Sequence, residues 1–94
     1  MSGGPFSYTV NGTSVTISWT GATPPISLEY NPSPGLPPYI NPTVSQTSVG
    51  SYTATGLIPN TLYSFNIYQP IHSYTLFPTT GSGLAFGINW FYSP

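Results

Sequence analysis

Two side chains in this sequence are equipped for acid–base or metal chemistry: Glu29, the one carboxylate, and His72, the one imidazole, with no Asp, Lys, Arg or Cys anywhere. Glycoside hydrolysis by paired carboxylates needs two acids, and a serine triad needs a carboxylate to orient its histidine. Only Glu29 is available to serve His72. Metal sites usually take three or four His, Cys or carboxylate ligands, and this inventory offers two at most. The residues therefore predict a protein that is not an enzyme, with no catalytic residues, no metal and no cofactor. His72 lies in Gln69-Pro70-Ile71-His72-Ser73-Tyr74 and is expected in a solvent-facing loop. As a pH sensor it is weak, because no acid is near it in sequence. Asn11-Gly12-Thr13 matches the N-glycosylation acceptor pattern, but Asn-Gly between alternating strands is equally what a type I′ turn requires. The turn is the preferred reading.

The missing charges exclude whole classes of partner. Nucleic-acid binding relies on Lys and Arg to displace the counterions condensed on phosphates, and anionic membranes attract basic clusters. A formal charge of −1 leaves neither partner a basis. No apolar run approaches the ~18 residues of a membrane span. With no cysteine, the fold must stand on packing and hydrogen bonds. The start, Met-Ser-Gly-Gly-Pro, has no basic or apolar leader, from which manufacture in the cytosol is expected.

The elements that hold these residues read as strands. Aromatics make up 16% of the 94 residues and sit inside alternating runs, which is unlike a disordered segment. Between them, the 12 prolines and the glycines leave no window of helical length with a 3.6 period. Phe6, Tyr8 and Val10 alternate before Asn11-Gly12, and Val15, Ile17 and Trp19 alternate after it, predicting strands over about 5–14 and 14–20. Ile26, Leu28 and Tyr30 form the next inward set, with Glu29 on the solvent side. Five prolines and Gly35 make 31–42 an irregular loop or a Pro-protected edge. Thr43 to Thr55 alternates weakly through Val44, Val49, Tyr52 and Ala54. Tyr63, Phe65 and Ile67 are a clean inward set, and Leu84, Phe86, Ile88, Trp90 and Tyr92 are the last. The expected fold is all-β, a single domain over 1–94 with a short flexible arm at 1–4.

Three groups of residues resemble the fibronectin type III family. Leu57-Ile58-Pro59-Asn60-Thr61-Leu62-Tyr63 is similar to its Leu-x-Pro-x-Thr-x-Tyr signature, in which the tyrosine locks the crossing between strands E and F. Trp19 resembles the strand B tryptophan, and Ile26-Ser27-Leu28-Glu29-Tyr30 resembles strand C. The resemblance is good over about 14–68 and poor at the ends. It implies a seven-strand Greek-key β-sandwich with Trp19, Leu57, Tyr63, Phe65 and Ile67 in or against the core. It does not imply a function, because the fold hosts many. Adhesive members carry Arg-Gly-Asp between strands F and G, and this chain has neither Arg nor Asp.

Two surfaces stand out as candidates for contact. Phe91 places an aromatic on the face of the last run that would otherwise meet water. It is either a packing contact within the domain or, with Tyr92, an anchor for another protein. Tyr39 and Ile40 crowd apolar surface onto the Pro-rich loop. Near-neutral surfaces associate, so such a chain suits high local density. A sandwich typical of extracellular life without an export signal suggests a multi-copy virion surface subunit of a bacteriophage, a capsid decoration, cement or tail protein. It would be made in the host cytoplasm, and its partners would be a capsid or assembly lattice and copies of itself. The alternative is an extracellular module, adhesive, fibre-forming or sugar-binding through Tyr39, Tyr68 and Tyr74.

Overall fold

A computed structural model describes residues 4–82. Six strands follow in order, β1 (Phe6–Asn11), β2 (Ser14–Thr20), β3 (Ser27–Pro32), β4 (Val49–Ala54), β5 (Tyr63–Tyr68) and β6 (Ser73–Leu76). They form two antiparallel sheets, ordered β1-β2-β4 and β3-β5-β6, and no helix occurs among the described residues. The connections from β2 to β3, β3 to β4 and β4 to β5 each change sheet, so the chain builds a sandwich rather than a meander. The expected last strand, 84–92, lies outside the described residues, as does most of the 1–4 arm. Position next to β5 is instead taken by β6, which falls in the stretch read from sequence as turn. Only Gln69–His72 turns there, closed by the Gln69 amide bonding the His72 carbonyl at 2.9 Å.

The first hairpin differs in detail from its expected form. Asn11 pairs with Ser14 as the last residue of β1, and the two turn residues are Gly12 and Thr13. Positive φ (61°) occurs at Gly12 alone, which is the type II′ pattern and not I′. Of the inward set on β1, Phe6 is buried, while Tyr8 and Val10 remain 41% and 38% exposed. Among the described residues, β1 has a strand neighbour on one flank only.

The core lies between the sheets. Val15, Ile17 and Trp19 of β2 face Leu28 and Tyr30 of β3 and Tyr63, Phe65 and Ile67 of β5, all buried, with Leu57 at the margin. Tyr30 stacks on Phe65 with ring centroids 4.7 Å apart and 15° between planes, an arrangement that aromatic pairs favour. Glu29 is half-buried on the outer face, where Tyr68 Oη donates to its Oε1 at 3.4 Å. Val49 is exposed at the start of β4, against its place in the alternation.

Burial pushes the Tyr30 phenol well above the ordinary tyrosine value of 10.0, and Tyr52 and Tyr63 push the same way. An acid raised on folding stabilises the native state fully below its unfolded pKa and loses that contribution as pH climbs toward the folded value. Stability is therefore expected to fall from about pH 10 upward. Tyr30→Phe should flatten that fall. Denaturant midpoints taken between about pH 8 and about pH 12 check it, and an unchanged slope in the variant would remove Tyr30 as the cause.

Candidate interaction surface

Asn31 turns outward from β3, yet it is buried, because the following loop folds back over it. Its Nδ2 donates to the carbonyls of Pro32 at 2.9 Å and Leu36 at 3.2 Å, satisfying a buried amide and fixing the loop. The Ser33 amide bonds the Leu62 carbonyl at 2.9 Å, tying the loop to β5 as well. Farther on, Ile40 and Tyr30 exchange both main-chain hydrogen bonds at 2.9 Å, so Ile40 extends the sheet beside β3 by one bridge. The Pro-rich stretch is thus both of the things expected from its composition, an irregular loop and a guarded edge.

Tyr39 stands out from this loop, 58% exposed, with its hydroxyl donating to the Gly35 carbonyl. Ile40 lines a cleft of about 170 Å³ together with Pro38, Ile58 and Tyr63. Phe91 and Tyr92, the other two expected anchors, lie outside the described residues. Leu36, Leu62 and Phe77 are exposed apolar residues that the sequence patterns do not single out. Alternation places them. Tyr63 and Leu76 point into the core, so their neighbours Leu62 and Phe77 point outward. Leu36 is exposed on the loop whose path Asn31 fixes through the Leu36 carbonyl. The signal was present in Leu62 and Phe77, each an apolar residue beside an inward one, but only the register assigns them a common face.

The residues with acid–base capacity do not converge. Glu29 is engaged by Tyr68, while His72 sits at the β5–β6 turn with its ring 6.3 Å from that of Tyr74. Among the described residues no three His, Cys, Asp or Glu side chains gather as metal ligands. Of the three tyrosines that a sugar site would use, Tyr74 is half-buried and its ring lies 6.0 Å from that of Phe6, inside the sandwich margin.

At the corner between β4 and β5 the Tyr63 hydroxyl accepts the Ile58 amide proton at 2.9 Å, five residues upstream. Trp19 is buried as well, toward the other end of β2 beside Gly50 and Thr47. The fibronectin type III domain model matches residues 4–75 of the sequence. The chain belongs to the fibronectin type III family. A search of the curated proteins found no match. In fibronectin type III terms the two sheets are strands A, B, E and strands C, F, G, with Ile40 standing where a short C′ strand would lie. Domains of this family commonly serve protein–protein contact, and of the exposed apolar residues here Leu62 and Phe77 lie on the outer C-F-G face, with Leu36 and Tyr39 on the adjoining loop.

Proposed function

We propose that this fibronectin type III domain is a non-enzymatic structural subunit, present in many copies on the surface of a bacteriophage virion as a decoration, cement or tail component. It is made in the host cytoplasm and reaches the outside with the particle. One observation carries the reading: Leu36, Tyr39, Leu62 and Phe77 are exposed on a domain whose only acidic or basic side chains are Glu29 and His72. Such a surface has little Coulomb repulsion to keep copies apart and offers apolar anchors to a neighbouring subunit. Each buried anchor contributes roughly 1.5–3 kcal/mol. Repetition around a lattice turns weak single contacts into high occupancy through effective concentration.

The test uses particles purified from the native source. Tyr39→Ser combined with Phe77→Ser, in a chain whose far-ultraviolet spectrum is unchanged, should reduce occupancy at least about tenfold, as the loss of two anchors requires. Occupancy of the unaltered protein should hold between ~50 mM and ~500 mM salt, because contacts without charge are barely screened. Full occupancy by the double variant, a steep loss with salt, or a monomer bound to nothing in its source would each overturn the reading. A longer parent chain anchored at a cell surface would favour the extracellular module instead.

A further inference from the structure

The outer face of the β3-β5-β6 sheet is built differently from that of its partner sheet. On β1, β2 and β4 the outward positions carry short hydroxyls such as Thr9, Thr16, Ser18 and Thr53, of which Thr16 and Thr53 bond each other at 3.0 Å. On the other sheet the register sets longer polar groups side by side. Glu29 of β3 stands opposite Asn66 of β5, and Asn66 stands opposite Thr75 of β6, so one row crosses all three strands. All three residues are half-buried. The neighbouring outward row is Ser27, Tyr68 and Ser73, each of them exposed.

The Tyr68 ring leans across this face. Its register partner is Ser27, yet its hydroxyl donates to Glu29 Oε1, one strand over and two residues along. A phenol spanning that diagonal lies along the sheet, and at 43% exposure it turns one ring face to solvent. Beside it, Thr75 Oγ1 donates to Asn66 Oδ1 at 2.9 Å, which fixes the carboxamide with its Nδ2 directed away from Thr75. The one long contact from Tyr68, at 3.4 Å, leaves the Glu29 carboxylate most of its acceptor capacity. A flat ring, a strong acceptor and an amide donor thus share one patch, about 7 Å along the strands and about 10 Å across them.

We propose that this patch is a binding site for a neutral saccharide, one or two pyranose rings in size. The apolar C–H face of a pyranose lies on Tyr68, an amphipathic ring suited to a half-wet position. Sugar hydroxyls donate to Glu29 and accept from Asn66 Nδ2, and a hydrogen bond to a carboxylate is stronger than one between neutral groups. Because Asn66 and Tyr68 are already held by their own hydrogen bonds, binding has less left to immobilise. Charge selects against acidic sugars: Glu29 stands in the patch, and the chain has no Lys or Arg to compensate an anion. A protein partner suits this patch less well, since its outward positions carry no aliphatic anchor, whereas Leu62 and Phe77 lie toward the Tyr63 end of the sheet. The two surfaces can be occupied together, so the site does not rest on the assembly reading.

The test is a nuclear magnetic resonance titration of the isotope-labelled full chain with cellobiose, maltose and lactose. Each is taken to ~50 mM, which saturates a site with a Kd on the order of 1 mM, the strength expected of an open face. At least one of the three should shift the main-chain amides of Glu29, Asn66, Tyr68 and Thr75 together with the Asn66 side-chain amide. For that sugar, Tyr68→Ala and Glu29→Gln should each weaken binding at least about tenfold, through the lost ring contact and the lost charged acceptor. Thr9→Ala, on the opposite sheet, should leave it unchanged, and the uronic-acid counterpart of the sugar should bind more weakly. Both altered side chains lie on the outer face, and unmoved resonances away from the patch verify that each variant has kept its fold. No shift with any of the three sugars, shifts confined to other surfaces, or binding indifferent to both Tyr68→Ala and Glu29→Gln would overturn the site. Tighter binding of the uronic acid would overturn its preference for neutral ligands. Particle occupancy is read separately, so the assembly reading stands or falls without this result.

Discussion

Replacing Trp19 by alanine is expected to cost about 3–5 kcal/mol of folding free energy, the range for removing a fully enclosed large aromatic. The indole is 3% exposed and fills the margin of the sandwich on three sides. Phe6 meets it at a centroid separation of 5.7 Å. Gly50 of β4 lies directly against it, so close that a Cβ built there would stand 2.8 Å from Cζ2. Its Nε1 donates to the Thr47 carbonyl at 3.0 Å, which anchors the connection leading into β4. Alanine would leave a cavity that backbone at Gly50 cannot collapse to fill, and would strip Thr47 of its donor. Trp19→Phe keeps most of the packing and loses the hydrogen bond, so about 1–3 kcal/mol is expected for it. Denaturant unfolding with an unchanged slope measures both. A loss below about 1 kcal/mol for Trp19→Ala would mean that the site relaxes, and that Gly50 is not small for the sake of the indole.

The second large effect is expected at Tyr63, where ring and hydroxyl separate cleanly. The ring packs between Tyr30 and Phe65, with centroids 6.5 Å and 6.3 Å away, and its removal in Tyr63→Ala should cost about 3–5 kcal/mol. The hydroxyl closes the corner by accepting the Ile58 amide, and Tyr63→Phe should cost about 1–2 kcal/mol through that bond alone. The corner has a second fastener. Thr80 Oγ1 donates to the Ile58 carbonyl at 2.6 Å and accepts the Thr61 amide proton at 2.9 Å. Asn60 sits between them at φ 53°, a left-handed conformation that asparagine tolerates better than most residues. Because Tyr63 and Thr80 hold the same short segment, Tyr63→Phe with Thr80→Val should lose more than the sum of the two single changes, by about 0.5 kcal/mol or more. A double-mutant cycle in denaturant decides it, and strict additivity would show that the two fasteners act independently.

How much of this was legible depends on where the information resides. The β1–β2 hairpin, β3 and β5 announce themselves because period-2 alternation and turn residues are local. The corner at Tyr63 was legible through its resemblance to a known signature. β6 was not, since four residues beginning Ser-Tyr-Thr carry too little alternation to outweigh the Pro and Gly around them. Burial of Asn31 was hidden for a different reason: its two acceptors, Pro32 and Leu36, come from a loop whose path no pattern fixes. The shared face of Leu62 and Phe77 is likewise a matter of register between strands. Tyr39 was readable as exposed because prolines flank it, and the two outermost anchors named with it, Phe91 and Tyr92, fall beyond residue 82.

The connection into β4 contains a side chain that stands in for a strand. Gln46 Oε1 accepts the Ile26 amide proton at 2.7 Å, while its Nε2 donates to the carbonyls of Ile26 at 2.8 Å and Val44 at 3.2 Å. One carboxamide thus offers Ile26 the donor and acceptor pair that a neighbouring peptide would. A peptide bond keeps that pair for the life of the chain, but a side-chain amide can hydrolyse. Conversion of Gln46 to glutamate would turn its donating end into a second acceptor, facing two carbonyl oxygens that have nothing left to receive. A single change of one side-chain atom at Gln46 would therefore undo the link between the two sheets at Ile26.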